Sequence, residues 1–546
     1  MPGKKLGTDL AFLLVDAVEH CVTPKERKRF SLIKTTVMPN CYMDSILILS
    51  VSRELMKLPG VHKAVAVMAT DMNKTVVGEF GGLTASAANA GPNDLIVSLD
   101  CEDENIIKAA ESRVRELASG NSKASDSPAA EVEYRTVSSA KEAMPEANLC
   151  IISLPGEYAA AEAAAAIAND MNLFIFSDMS EDEELQLKLA AHRKGLFVMG
   201  PGAGTAVING LSVGLMSKVR SGRIGIVAAS GSGLQEVAVI IHQLGAGISE
   251  AIGVGGHDLS EKVGGIMFMQ AIDYFSSDPG TDVLVLVSKP PHPETARKIY
   301  ASLPKDKPCV IFFLGGDARE IRAAGAYAPQ TLEEAAVMAV CLLNGKEPDC
   351  GDSVAAAKAE LSRIAEEERS KLAPGQKYLR GLFCGGTHSE EAVTLLNSFV
   401  PGLHSNISFG GAQLLEDRYV SLGNSLVDMG DEVFTKGKPH PVMDPSILVD
   451  RLIQEAHDPE TGVILFDLLY GYAIHPDPVG AIEDALKEVR RIGRDEGRHI
   501  CLIASLCGTD LDPQNVAEQE RRLREYGVLI QPSNAKAALL AGLIVS

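Results

Sequence analysis

The sequence predicts an α/β protein made of several Rossmann-like or flavodoxin-like parallel-sheet domains, one of them duplicated. Three observations point there. Apolar runs of strand length alternate with amphipathic stretches of helix length, the pattern of sheets covered by helices. Fifty glycines punctuate the junctions between them. One layout also occurs twice. A short strand enters a Gly/Ser/Thr turn that opens a helix, at Ile224–Glu236 and again at Leu382–Glu390, and each copy is followed by Asp-Pro-x-Thr-x-Val leading into an apolar strand, at Asp278–Val283 and Asp458–Val463.

The chain has 546 residues, which suggests three or four domains, and the elements fall in that order. Residues 30–120 form a small N-terminal α/β domain, with a helix over Ser45–Leu55 and strands at Lys63–Ala69 and Asp94–Ser98. The stretch Glu116–Glu133, rich in Ser, Ala, Gly and Asp, reads as a solvated linker. Residues 130–220 form a Rossmann-like domain of βαβαβ type: strand Leu149–Ser153, helix Ala159–Asp170, strand Leu173–Phe176, helix Glu181–Lys194 and strand Leu196–Met199. The first duplicated domain spans 221–346 and begins with strand Ile224–Ala228; a charged helical linker covers 347–377, and the second copy spans 378–546.

Composition narrows the function classes. With 46% hydrophobic and 23% charged residues the chain can bury large cores. Its net charge of -21 would repel a phosphate backbone, and no basic block interleaved with aromatics offsets it, so no nucleic-acid partner is expected. No apolar run reaches about 18 residues, and the first twenty residues carry acids within a short apolar stretch and no small-residue cleavage site, so a cytoplasmic protein with no membrane partner is expected. Ten cysteines without CxxC pairs suggest reduced thiols.

The two turns carry the chemistry. A helix N-terminus has unpaired N–H groups and a partial positive charge, and glycine lets the backbone approach an anion. Ser230, Gly231, Ser232 and Gly233 in one copy, and Gly385, Gly386 and Thr387 in the other, are therefore candidate phosphate-binding residues, provided the two copies pack about a pseudo-twofold axis with their turns facing. The same residues also suit plain helix caps, and neither turn is a P-loop or a GxGxxG fingerprint. Other polar loops at strand ends offer substrate contacts: Gly204 and Thr205, then Gly255, Gly256 and His257. Lys289, Lys436 and His440 are candidate catalytic residues, acting as electrostatic partners of an anion on an otherwise acidic body. His440 with Asp444, or His475 with Asp477, lacks a third spaced ligand, so no metal is expected.

Gly200-Pro201, Gly225-Ile-Val, the Ser230-Gly-Ser-Gly turn, Gly253-Val-Gly-Gly256 and the strand after Asp278-Pro resemble the α subunit of succinyl-CoA synthetase, and Asn424–Gly430 through Asp458 and Val463–Phe466 is similar to the ligase domain of its β subunit. Further strings extend the likeness over nearly the whole chain: Ser153-Leu-Pro-Gly-Glu-Tyr158, Phe176-Ser-Asp178, Ser230–Glu236, Ser288-Lys-Pro-Pro291, Cys384-Gly-Gly-Thr387 and Phe434–Pro441. These resemble the FdrA family, described as acyl-CoA synthetase-like, with members implied to be subunits of oxamate carbamoyltransferase. The resemblance implies a succinyl-CoA synthetase-like fold in which 221–346 and 378–546 are ligase-type domains and 130–220 is CoA-binding-like.

Within that resemblance the chain lacks the phosphate-carrying histidine of a nucleotide-dependent synthetase, since no histidine lies between Pro293 and Thr387, and it has no block large enough for an ATP-grasp domain. It also reads Gly202-Ala203 where the family has a carboxylate and a thiol, and His257 where arginine is usual. The leading expectation is a phosphate-binding subunit of a carbamoyl or acyl transferase in a purine-catabolic setting. Such a subunit would take a small anionic substrate, work with partner enzyme subunits, form a homo-oligomer if any, and need no cofactor beyond phosphate as substrate. The alternatives are an acyl-CoA synthetase subunit that binds CoA through 147–215, and a non-catalytic scaffold.

Overall fold

The computed structural model describes residues 32–39, 41, 43, 45–103, 106–118, 134–349, 351–436 and 438–546. The twenty N-terminal residues and the expected linker from residue 119 onward lie outside them. The chain divides into two compact units, Met1–Val132 and Glu133–Ser546.

The smaller unit is an antiparallel sheet in the order β1 (Leu32–Met38), β3 (Leu95–Cys101), β2 (Val61–Met68), with helices α1 (Ser45–Met56) and α3 (Ile106–Ala118) and, between β2 and β3, α2 (Asp71–Glu79). Six of the seven residues of β3 are buried, as its place between two neighbouring strands requires, and Asp100 is the one that is not. Leu95, Val97 and Leu99 pack with Val51 and Leu55 of α1 and Val114 of α3. The edge strand β1, half exposed, has no apolar run to announce it.

The larger unit holds three sheets. A three-stranded parallel sheet runs β4 (Leu149–Ile152), β5 (Asn172–Ile175), β6 (Val198–Met199), with α4 (Gly156–Ala168) and α5 (Glu181–His192) as its crossovers. Ser180 caps α5 by accepting the Glu183 N–H while Glu183 reaches back to the Ser180 N–H. This capping box explains why the acidic run at 181–184 starts a helix.

The second sheet has the order β12 (Cys309–Phe313), β11 (Val283–Ser288), β9 (Ser221–Ala228), β10 (Ile248–Gly253), β7 (Thr205–Ile208), β8 (Leu211–Gly214). Strands β9 to β12 are mutually parallel; the β7–β8 hairpin is antiparallel to β10. Its main helices are α6 (Gly231–Gln243), α7 (Ile266–Ser277), α8 (Pro293–Ala301) and α9 (Leu332–Leu343). Helix α10 (Ser353–Arg369) leads to the third sheet, seven parallel strands in the order β15 (Gln413–Leu414), β14 (Leu403–Ser405), β16 (Asn424–Asp428), β13 (Tyr378–Phe383), β17 (Thr461–Leu469), β18 (Cys501–Cys507), β19 (Leu529–Gln531). Helices α11 (Gly386–Leu396), α12 (Ser446–His457), α13 (Pro478–Asp495), α14 (Val516–Glu525) and α15 (Asn534–Val545) cover it.

The repeated layout is visible in three dimensions. Asp278 ends α7 at φ −72, ψ 118, and Asp458 ends α12 at φ −73, ψ 117. Each aspartate side chain accepts the N–H two residues on, from Gly280 and from Glu460, both at 2.9 Å, and each backbone carbonyl accepts the Thr N–H. The first strand of each copy also carries a glycine paired with a leucine, Gly225 with Leu284 and Gly381 with Leu465. A Cβ on Gly225 would stand 2.7 Å from the Phe275 ring, and one on Gly381 2.9 Å from the Phe383 ring, so both positions need glycine for close packing.

The fold class is therefore α/β with parallel sheets and a repeated domain. Among the described residues no helix is long and apolar enough to cross a membrane. The described cysteines are free thiols.

Candidate functional site

From β9 and from β13 the chain passes first to one side of the strand and later to the other, so the turns that follow them sit at topological switch points, where open parallel sheets leave a crevice. From these turns rise α6 and α11, and their N-termini meet. Ser230, the N-cap of α6, accepts the Gly233 N–H at 3.0 Å, and its hydroxyl lies 2.6 Å from that of Thr387 in the first turn of α11. The Thr387 N–H donates to Ser232 Oγ at 3.1 Å. Ser230 and Thr387 are buried, whereas Gly231 is exposed and Ser232 and Gly386 are half-buried, so the junction has one open side. The N–H groups of Gly231, Ser232 and Gly386 belong to first turns and have no acceptor within their own helices.

Carboxylates surround this positive junction. Asp467, fully buried on β17, accepts the Cys384 N–H at 2.6 Å, the Gly385 N–H at 2.9 Å and a hydrogen bond from His388 Nδ1 at 2.8 Å. Asp428, at the end of β16, is close enough to Gly386 that a Cβ there would lie 2.9 Å from its Oδ2; burial lifts Asp428 to about 7. Glu390 is buried, which raises its carboxyl, while Lys289 at 2.7 Å acts in the opposite sense. Burial likewise raises Glu391 to about 7, although its two oxygens accept the Leu332 N–H and the Asn534 amide. Burial works against a charged His388, yet the Asp467 hydrogen bond and the charges of Glu236, Asp467 and Glu391 bring it up to about 9.

The expected site residues fall into three groups. Ser230, Gly231, Ser232, Gly233, Gly385, Gly386 and Thr387 come together at the junction, but the Cys384, Gly385 and Thr387 N–H groups already have acceptors within the protein and are not available to an anion. Lys289 reaches the junction through Glu390. Thr205 reaches it from the other side, its hydroxyl donating to the Gly231 carbonyl at 3.2 Å, and Gly204 precedes it. His440 is close by: a Cβ on Gly430 would meet His440 Nε2 at 2.8 Å, the Cys384 carbonyl at 3.0 Å and Asp428 Oδ1 at 3.1 Å. Burial lowers His440 to about 4, so it is a neutral imidazole and not the cationic partner expected of it.

The remaining residues lie elsewhere. Lys436 is exposed at the C-cap of the single turn Glu432–Thr435 and makes no ion pair with the junction among the described residues. Gly255, at φ +87, packs against Gly200 and Pro201, and Gly256 has open space where a side chain would stand. His257 sits 3.5 Å from Glu184, beside a fully buried triad in which Lys188 bonds Glu184 at 2.6 Å and Asp258 at 2.7 Å. Sequence reasoning gave no role to Asp467 or Asp428. The signal for Asp467 was a single acid inside the otherwise apolar strand Thr461–Leu469, all nine residues of which are buried.

Family models match three stretches of the chain: "AllF, heavy metal-associated domain" over residues 31–134, "CoA binding domain" over 219–315 and "CoA-ligase" over 382–544. The CoA-binding match thus falls on the second sheet, where a ligase-type domain was expected, and beyond the 130–220 segment expected to be CoA-binding-like. The uncharacterized protein YahF of Escherichia coli (strain K12) is 40% identical over 515 residues, covering 93% of this chain and 98% of that protein. The succinate–CoA ligase [ADP-forming] subunit alpha of Methanothermobacter thermautotrophicus is 31% identical over 160 residues, which is 29% of this chain and 53% of that subunit. Among solved structures, ATP citrate lyase from Methanothrix soehngenii in complex with citrate and coenzyme A aligns with a TM-score of 0.35 at 19% identity, over 40% of this chain and 44% of that one. Near-complete coverage at this identity, on domains of CoA-binding and CoA-ligase type, makes the chain a member of the YahF family of succinyl-CoA synthetase-like proteins.

Proposed function

We propose that the chain is a subunit of an acyl-CoA synthetase of the succinate–CoA ligase type, in which the acyl group of a small carboxylic acid passes between phosphate and CoA. The observation that carries this reading is the meeting of two helix N-termini at Ser230 and Thr387, on the stretches that the CoA-binding and CoA-ligase models match. The turn suits an anion. Gly231 is exposed, and a Cβ there would meet only Thr205 Oγ1, at 3.6 Å, so a ligand oxygen can approach the backbone closely. Lys289, 46% exposed, supplies a cation beside it.

CoA, when bound, would supply the thiol that takes the acyl group from an acyl phosphate: the C–S bond forms as the C–O bond to phosphate breaks, phosphate leaves with the electron pair, and the thiol proton goes to the departing phosphate. The Gly231 and Ser232 N–H groups and Lys289 would hold the phosphate as it leaves and stabilise the charge it gains.

A second reading, the finer placement in the FdrA family as an oxamate carbamoyltransferase-type subunit, is favoured by one observation. No histidine lies between Pro293 and Thr387 to carry phosphate from a nucleotide site, and phosphorolysis of a carbamoyl-type substrate needs no such carrier. Calorimetric titration of the full chain with phosphate, CoA and carbamoyl phosphate separates the readings. CoA binding supports the synthetase; carbamoyl phosphate binding without CoA binding selects the transferase; no binding of any of the three leaves a scaffold. The Ser230→Ala, Thr387→Ala double substitution removes the cap that sets the turn and should weaken phosphate binding, and unchanged binding would remove the junction as the site.

A further inference from the structure

Beneath the open side of the junction, three residues from three elements converge. Glu236 on α6, His388 on α11 and Cys507 at the end of β18 each offer a ligand atom, and these atoms all lie within 4.8 Å of one another. All three side chains are buried, His388 completely. His388 Nδ1 is taken by Asp467 at 2.8 Å, while its Nε2 has no hydrogen-bond partner and lies 3.6 Å from Glu236 Oε2. That separation is too long for a hydrogen bond. It is close to the edge of a tetrahedron with metal–ligand bonds of about 2.1 Å, roughly 3.4 Å. Glu236 Oε1 is held by the Asn534 N–H at 3.0 Å, which leaves Oε2 as the oxygen facing the imidazole.

We propose that Glu236, His388 and Cys507 form a binding site for a divalent transition metal, with zinc the best match to a thiolate, an imidazole and a carboxylate. This departs from the expectation of no metal, which searched for ligands close together in sequence. The carboxylate bonded to the far nitrogen of the ligating histidine is the outer-shell partner that fixes the tautomer of metal-bound histidines, and Asp467 has that position. The fourth position falls to a water or to Asn534 Oδ1, which is buried without a partner on a residue bonded to both Glu236 and the His388 carbonyl. On binding, the Cys507 thiol and the His388 imidazolium each give up a proton, both released to solvent, and His388 binds as neutral imidazole through Nε2.

The metal would tie the first repeat, through α6, to the second, through α11 and β18, directly under the two helix N-termini. Its role is to hold the junction, and it does not depend on which reaction the junction serves. A second cluster, Glu368, His499 and Cys501, differs in the decisive respect: Glu368 is already bonded to Lys371 at 2.6 Å and to His499 at 2.8 Å.

The test uses the full chain stripped with a chelator and reloaded with zinc or cobalt(II) alone. About one equivalent per chain is expected, with a thiolate-to-cobalt charge-transfer band in the near ultraviolet. The band should vanish in Cys507→Ser and persist in Cys501→Ser, and zinc affinity should fall at least about tenfold in His388→Asn. A wild-type chain that takes up neither metal, or gives no charge-transfer band, overturns the site without recourse to variants, as does a band that survives Cys507→Ser. In either case His388 would instead be an imidazolium held between Asp467 and Glu236.

Discussion

Asp467 gathers three donors on one fully buried carboxylate: the Cys384 and Gly385 N–H groups, and His388 Nδ1. Replacing it with alanine leaves three buried donors without an acceptor. At about 1–3 kcal/mol for each, the unrelaxed cost has a ceiling of about 9 kcal/mol, which water entry and local shifts would reduce to about 3–5 kcal/mol. Asparagine keeps one acceptor. With its oxygen toward Gly385 and His388, where Asp467 Oδ2 now serves both, only the Cys384 N–H loses its partner and faces an amide NH2, a cost of about 1–3 kcal/mol. The assay is the urea unfolding midpoint of the full chain, with amide exchange at Cys384 and Gly385 as the local readout. Both amides should exchange faster in Asp467→Ala, and the Cys384 amide should be the faster of the two in Asp467→Asn. An alanine variant within about 0.5 kcal/mol of wild type, or an asparagine variant costlier than alanine, would refute the argument that the carboxylate organises the start of α11.

The remaining predictions follow the same geometry. Burial holds Asp428 near 7 in the folded chain, so its contribution to stability is fully present below the ordinary carboxylate value and is lost as pH rises through about 7; Asp428→Asn should flatten the fall in melting temperature between pH 5 and 8, by no more than one proton's slope. Lys289→Met should weaken phosphate binding about tenfold, about 1.4 kcal/mol, in a titration whose wild-type affinity falls with added salt. Gly225→Ala drives a Cβ against the rigid Phe275 ring and should lower stability by about 1–3 kcal/mol, seen as a lower melting temperature; a neutral result would remove the close-packing account of both repeat glycines. Chelator treatment should lower the melting temperature of the wild type and leave that of Cys507→Ser unchanged, whereas an equal response in both would count against the metal.

Periodicity and punctuation carried most of the fold. The alternation of apolar runs and amphipathic stretches placed α1, β5, α5 and β9 within a few residues of their observed limits, because buried parallel strands and one-sided helices leave distinct patterns. The edge strand β1 was missed because a half-exposed strand has no such pattern. The junction was legible only because its turn occurs twice. The carboxylates around it were not: Asp467 and His388 are 79 residues apart, and their contact exists only once β17 lies beside β13 in the sheet. His440 was read as an electrostatic partner of an anion, and the burial that lowers it to about 4 leaves no mark in the sequence around it. Lys188 gave no signal at all, as its partner Asp258 is 70 residues away.

Two helix N-termini placed end to end repel, each with a partial charge of about half a proton. The duplicated lobes meet in this arrangement with hydroxyls 2.6 Å apart, so something must offset the repulsion. Asp467 does so in part, by accepting the N–H groups that lead into α11, and Glu390 and Asp428 stand beside it. An arriving phosphate therefore does not find an empty cradle. It must share the junction with resident carboxylates, two of which, Glu390 and Asp428, are raised by burial and so resist ionisation. Protonating Asp428, which burial holds near 7, as phosphate binds lowers the negative charge around the ligand, and binding should then take up protons near neutral pH. Titrations in buffers of different ionisation enthalpy measure that uptake directly. A value of zero across pH 6 to 8 would mean that the anion, if it binds, contacts only the open Gly231 and Ser232 side of the junction and leaves the carboxylates as they are.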